Sequence, residues 1–297
     1  MKLAYSLFSL LLVLGARGAA GEAPLTVLVL AGQSEMLDWH ADAALLPSDP
    51  ADASIRFYFH TGAPPLHPQF PPNFFNATSH DAWTVLRPQT QEPYHKFFRT
   101  FFGPEMSLAR QLDRKGVRPL AIIKVGYFGT NLAEDWRPDA AAGNQLYALF
   151  SQQVTQALGR LKAEGRAFNV AGFFWMQGGS DAGRPGFAAA YGKNLSAFIA
   201  RVRADFGTAE TPFVIARISP RRPDKPSADR ELIRAAQVAV ADRQLQCAWI
   251  DADDVSYAED GAHPDALGTI TLGERLAAAW LKLSATAAKQ PAPATRM

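Results

Sequence analysis

The run Leu25-Thr26-Val27-Leu28-Val29-Leu30, closed by Ala31-Gly32-Gln33-Ser34, is the feature that most narrows the possible folds. A continuous apolar, β-branched stretch reads as a strand buried on both faces, and such strands belong to parallel sheets covered by helices. The small residues that end it read as a tight turn presenting Ser34. In open α/β sheets the chemistry gathers at the C-terminal ends of strands. Ser34 is therefore either a nucleophile placed at that edge or a turn serine capping the next element.

The pattern further along agrees. Strands are predicted over Ile55–Phe59, Pro119–Val125, Val170–Met176, 212–218 and 246–250. Helices are predicted over Pro104–Arg114, 144–164, 187–205, 229–243 and 264–283. Pro104 at a first helical position, Glu105 in the first turn and Gly116 as a stop delimit the first of these. Leu146, Leu149, Phe150, Val154, Ala157, Leu158 and Leu161 recur at helical spacing in the second. Alternating strands and helices predict an α/β protein with a doubly wound, mainly parallel sheet. No repeat and no second composition regime interrupts it, so one domain is expected over 21–285.

The chain ends read differently. Met1-Lys2, an apolar run from Leu3 to Leu14, and Gly18-Ala19-Ala20 have the form of a secretory signal peptide over 1–20. A secreted or periplasmic protein is the expectation, and the apolar run is short for a membrane anchor. The Ala-, Pro- and Lys-rich stretch 286–297 is expected to be a disordered tail. Removing 1–20 takes away Lys2 and Arg17 and no acid, leaving 28 basic and 28 acidic residues. Such a balance gives no general attraction to nucleic acid or to anionic membranes. Cys247 is the only cysteine, which excludes an intramolecular disulfide. The six histidines are scattered without metal-ligand spacing, so no metal and no cofactor is expected.

Residues 41–100 are irregular and rich in proline and aromatics, among them Pro64, Pro65, Pro68, Pro71, Pro72, Trp83, Tyr94, Phe97 and Phe98. So long a loop reads as a wall or lid over a site. Its aromatics, with His60, His67, His80 and His95, either face a sugar or aromatic substrate or pack the loop onto the domain. Trp83 is taken from this group as a substrate-binding candidate.

Acyl transfer from an ester needs a nucleophilic oxygen, a base, a group to orient the base, and donors for the oxyanion. Ser34 is the candidate nucleophile. His263 is the candidate base, because Asp260 lies three residues before it and one turn can carry both. The N–H groups of Ser34 and Gly103, with the amide of Asn131 or Gln177, are the candidate oxyanion donors. Gln33 and Glu35, flanking the serine, are further substrate-binding candidates. The acids Glu35 and Asp181 remain alternatives to Asp260 for orienting the imidazole.

Five short motifs occur in order: Gly32-Gln33-Ser34-x-Met36, Gly103-Pro104-Glu105, Gly129-Thr130-Asn131-Leu132, Trp175-x-Gln177-Gly178-x-Ser180-Asp181 and Asp260-x-x-His263. Together they resemble the SGNH hydrolases of the sialate O-acetylesterase and acetylxylan esterase type, the carbohydrate esterase family 6-like group. The resemblance runs from about Leu25 to Ala279. It implies a three-layer α/β/α sandwich of the SGNH/flavodoxin-like kind and metal-free removal of acetyl groups from sugars, with an acetylated carbohydrate as partner. It also implies Ser34 as nucleophile, His263 as base, Asp260 as its partner, and Gly103 with Gln177 or Asn131 in the oxyanion hole. Two positions depart from that group's usual pattern: Glu35 stands where Asn is usual, and Gly179 where an acid is common. An acetyltransferase, a general esterase or a carbohydrate-binding protein with a degenerate site would share the same motifs.

Overall fold

The computed structural model describes residues 22–66, 76–91, 98–139, 144–184, 186–220 and 227–287. The expected leader 1–20 and the end of the tail, 288–297, lie outside the described residues, as do His67, Pro68, Pro71, Pro72, Tyr94, His95 and Phe97.

The Leu25 run is a strand, β1 (Leu25–Gly32), at the centre of an eight-stranded sheet. To one side lie β7 (Leu120–Tyr127), β2 (Arg56–Gly62) and β3 (Ala77–Thr78). To the other lie β8 (Phe168–Met176), β9 (Phe213–Ala216) and β10 (Cys247–Ile250). Strands β2, β7, β1, β8, β9 and β10 are parallel; β3 and β4 (Thr84–Val85) pair antiparallel with β2. A separate ladder joins β5 (Gln89–Thr90) and β6 (Thr100–Phe101). The chain thus leaves β1 for one side of the sheet and later crosses to the other, which makes the C-terminal end of β1 a switch point.

Period-2 alternation divides the core in two. Leu28 and Leu30 of β1 pack with Met106 and Leu112 of α2 (Glu105–Arg114) and with Leu276 and Trp280 of α6 (Ala266–Ala287). Val27, Val29 and Ala31 face the other way, onto Phe150 and Val154 of α3 (Leu146–Ala163) and Phe198 and Ile199 of α4 (Phe187–Phe206). Helix α5 (Ser227–Arg243) joins the second layer through Ile233 and Val240. The result is the expected three-layer α/β/α sandwich, with element ends within a few residues of those predicted. Helix α6 runs to Ala287, two residues into the expected tail, and its apolar face packs Leu276, Ala277 and Trp280 against the sheet. Cys247 opens β10, where burial pushes its thiol up to about 12, as befits an inert packing residue.

A buried polar cluster fixes the short helix α1 (Ser34–Leu37) beneath this edge of the sheet. Lys124 of β7 donates to Glu105 Oε2 at 2.7 Å and to Leu37 O at 3.4 Å, and neither Lys124 nor Glu105 has any exposed side chain. Burial pulls the Lys124 ammonium below its ordinary range, with Glu105 opposing that shift. Asp38, the left-handed residue that ends α1, is fully buried and accepts from Thr269 Oγ1 of α6. Burial pushes its carboxyl well above the usual range. Glu105→Ala would leave Lys124 buried without its carboxylate, and the expected loss is about 3–5 kcal/mol. A urea titration reads this as a lower midpoint; an unchanged midpoint would show that the pair does not hold the fold.

Candidate active site

Ser34 is delivered by a close approach of two strands. A Cβ at Gly32, whose φ is +157°, would stand 2.1 Å from Met176 O, so only glycine lets β1 end against β8 here. The Gln33 N–H then donates to Met176 O at 2.9 Å, and α1 begins at Ser34 itself. As a first-turn residue, Ser34 presents an N–H that has no acceptor within its own helix.

His263 comes from the loop between β10 and α6. Asp260 builds that loop: its Oδ1 accepts the N–H groups of Ala262 (2.9 Å) and His263 (3.0 Å), while its Oδ2 takes His263 Nδ1. The opposite ring nitrogen, Nε2, lies 2.8 Å from Ser34 Oγ. With an ionised carboxylate on Nδ1, that nitrogen carries the proton and Nε2 accepts from the serine. Burial raises the Asp260 carboxyl, but the hydrogen bond and charge of His263 and the two N–H donors outweigh it and hold the group well below the usual carboxylate range. The fold therefore joins Ser34, His263 and Asp260 in one hydrogen-bonded chain spanning 229 positions of sequence.

Of the expected oxyanion donors, the Ser34 N–H stands at the site, and the other three have partners elsewhere. Gly103 is corrected: its N–H donates to Glu105 Oε1 at 3.1 Å, inside the Lys124 cluster, and is not offered to an ester. Gln177 is corrected as well. Its fully buried Nε2 has two hydrogens and three acceptors, namely Gln33 Oε1 (3.1 Å), Thr130 O (3.0 Å) and Asp181 Oδ2 (2.6 Å). Asn131 ties its oxygen and one amide hydrogen to its own loop, donating to Asp135 Oδ2 at 2.8 Å and accepting from Glu134 N–H at 2.7 Å. What these bonds do is orient Gln33. Its Oε1 accepts from Gln177 Nε2, Gly178 N–H and Ser180 N–H, which turns its Nε2 toward Ser34 Oγ, 3.5 Å away. Gln33 Nε2 and the Ser34 N–H are the donors placed beside the serine.

Glu35 lies close to the nucleophile: Ser34 Oγ also reaches Glu35 Oε2, at 3.2 Å. Asp181 is spent elsewhere, accepting Leu132 N–H, Ala133 N–H and Gln177 Nε2; burial pushes its carboxyl up to about 6 against those bonds. Trp83 is corrected as a substrate-binding residue. Its Nε1 donates to Ala157 O, its ring lies under Arg56, and it sits beside the N-terminal half of β2, at the sheet end opposite Ser34. His40 is the residue that sequence reasoning missed. Its ring stacks on His263 at 4.6 Å and 14°, and burial, with the His263 charge, pulls it down to about 4. Its nearness in sequence to Ser34 was the available signal. His40, Asp260 and His263 also have ligand-capable atoms within 4.8 Å of one another, a grouping that sequence spacing did not show. Asp260 and His263 are already bonded to each other there. The acids Asp251, Asp253 and Asp254 instead pair with Arg217, Arg234 and Arg275.

A serine whose hydroxyl meets an imidazole oriented by a carboxylate is equipped for nucleophilic acyl transfer. Solved structures share the fold. A protein of Arabidopsis thaliana aligns at a TM-score of 0.64 and 18% identity, covering 88% of this chain and 99% of that one. XAC1771, a carbohydrate acetylesterase from Xanthomonas citri, aligns at 0.62 and 19%, over 88% of this chain and 57% of that one. NanS aligns at 0.57 and 16%, over 89% and 98%. No curated protein matches the sequence. The family described as "Carbohydrate esterase, sialic acid-specific acetylesterase" matches residues 24–282, nearly all of the described chain, and the protein belongs to that family of carboxylic ester hydrolases.

Proposed function

We propose that the protein is an exported serine esterase that removes O-acetyl groups from carbohydrates. The hydrogen-bonded chain from Ser34 Oγ through His263 to Asp260 carries this reading. Ser34 Oγ attacks the acetyl carbonyl as its proton passes to His263 Nε2. The tetrahedral oxyanion is met by the Ser34 N–H and Gln33 Nε2, and each such donor is typically worth about 3 kcal/mol in the barrier. His263 then protonates the departing sugar oxygen, leaving an acetyl-serine. Water attacks that ester, giving its proton to His263, and acetate leaves as Ser34 recovers its hydrogen. Asp260 stabilises the imidazolium in both halves without itself becoming protonated. Residues 1–20 support export. Among the described residues no helix is long and apolar enough to cross a membrane.

The test is acetate release from acetylated xylan, acetylated sialic acid and acetylated pectin oligomers. Saturable release from at least one of them is expected, and the rate is expected to persist in EDTA. Binding of these glycans without release would favour a carbohydrate-binding protein. Acetyl transfer to an added glycan at the expense of free acetate would favour a transferase. Loss of rate in EDTA, restored by a divalent ion, would assign a required metal.

A further inference from the structure

The Ser34 hydroxyl has one hydrogen and two acceptors, His263 Nε2 at 2.8 Å and Glu35 Oε2 at 3.2 Å. Only the first direction leads to reaction, because the base must take the proton as the oxygen attacks. An ionised carboxylate is acceptor-only, so Glu35 can hold that hydrogen but offers nothing to a developing oxyanion. Left beside the oxyanion without a donor of its own, it would oppose the charge that forms.

The surroundings of Glu35 supply a second observation. Gly179 puts no side chain against it: a Cβ there would stand 3.2 Å from Glu35 Oε1 and 3.3 Å from Gln33 Nε2, with Arg230 Nη2 at 3.9 Å. One carboxylate oxygen, one carboxamide N–H and one guanidinium thus surround a position kept bare. Glu35 itself is only partly buried. A mixed set of charged acceptor and fixed donors beside a nucleophile suits a polyol hydroxyl, which both donates and accepts.

We propose that Glu35 is a specificity-determining residue that reads a free hydroxyl next to the acetylated one on the substrate. Donation from that hydroxyl to Glu35 draws the carboxylate away from Ser34, whose proton then turns to His263 alone. An acetate lacking such a neighbour leaves the Ser34 hydrogen shared between His263 and Glu35. The preferred substrates are therefore partly acetylated polyols and sugars with a vicinal hydroxyl. This inference rests on the esterase reading of Ser34.

The experiment compares kcat/KM for 2-hydroxyethyl acetate and 2-methoxyethyl acetate. The neighbouring oxygen can donate in the first and is capped by a methyl in the second, and the Glu35 variants separate lost donation from added bulk, which they leave in place. The wild type is expected to prefer the hydroxyl compound by on the order of tenfold, the scale of a hydrogen bond to a charged group. Glu35→Ala should bring the preference close to unity, and Glu35→Gln should leave an intermediate value while raising the rate on the methoxy compound. Each ratio is measured on a single preparation, so incomplete folding cancels. An equal preference in wild type and both variants overturns the proposal. If Ser34→Ala is inactive while the preference ignores Glu35, only this inference fails; if Ser34→Ala stays active, the esterase reading itself fails.

Discussion

Ser34→Ala is expected to lower kcat on an acetylated substrate by on the order of 10⁶, the loss seen when the nucleophile of a serine hydrolase triad is removed. The change deletes the oxygen that faces His263 Nε2 at 2.8 Å, carried by the residue that starts α1 at the end of β1. Among the described residues the other side-chain groups at the serine are the His263 imidazole, a carboxamide nitrogen and a carboxylate, and none supplies a second hydroxyl there. The fold should survive. The backbone bonds that shape the turn, Gln33 N–H to Met176 O and Asp38 N–H to Ser34 O, do not involve the hydroxyl. The closeness of β1 and β8 depends on Gly32, not on the serine side chain. Circular dichroism with p-nitrophenyl acetate turnover checks both halves. A folded Ser34→Ala enzyme with normal turnover would take the nucleophile away from Ser34.

How far the site was legible follows from how local each part is. The β1 run announced a buried parallel strand because both of its faces are covered, and the switch-point position of Ser34 followed from that. Asp260 and His263 were legible as a pair because three residues separate them and a single turn brings them together. Of the candidate oxyanion donors, the Ser34 N–H was legible in the sequence and the rest were not. Whether an N–H is free depends on what reaches it from distant elements: Glu105 takes Gly103, and Asp181 with Thr130 and Gln33 takes Gln177. Gln33 Nε2 emerged as a donor only because three groups from the loop after β8 capture the side-chain oxygen of the same carboxamide. Trp83 shows the limit of composition. An aromatic in a long loop can pack at either end of the sheet, and here pairing of β4 with the start of β2 decides for the far end. The stack of His40 on His263 depends on two loops meeting in space, and periodicity carries no trace of that.

Asp260→Asn is expected to lower kcat by on the order of 10⁴, as the matching substitution does in a serine protease triad. The geometry gives the reason. Asp260 Oδ1 serves the loop, accepting Ala262 and His263 N–H, and an asparagine oxygen can keep both bonds. The amide nitrogen would then replace Oδ2 against His263 Nδ1 and present a donor where the native group accepts. The imidazole answers by moving its proton to Nε2, which faces Ser34 Oγ with a hydrogen instead of a lone pair. The loop is thereby preserved while the base is set in the wrong tautomer, and no carboxylate remains to stabilise the imidazolium. Neither nearby acid can take over. Asp181 already accepts from Leu132, Ala133 and Gln177, and Glu35 meets Ser34 on the oxygen side of the chain. The comparison is kcat for Asp260→Asn, Asp181→Asn and Glu35→Gln, with folding followed by circular dichroism. Turnover close to native in the first, with collapse in either of the others, would move the orienting role off Asp260.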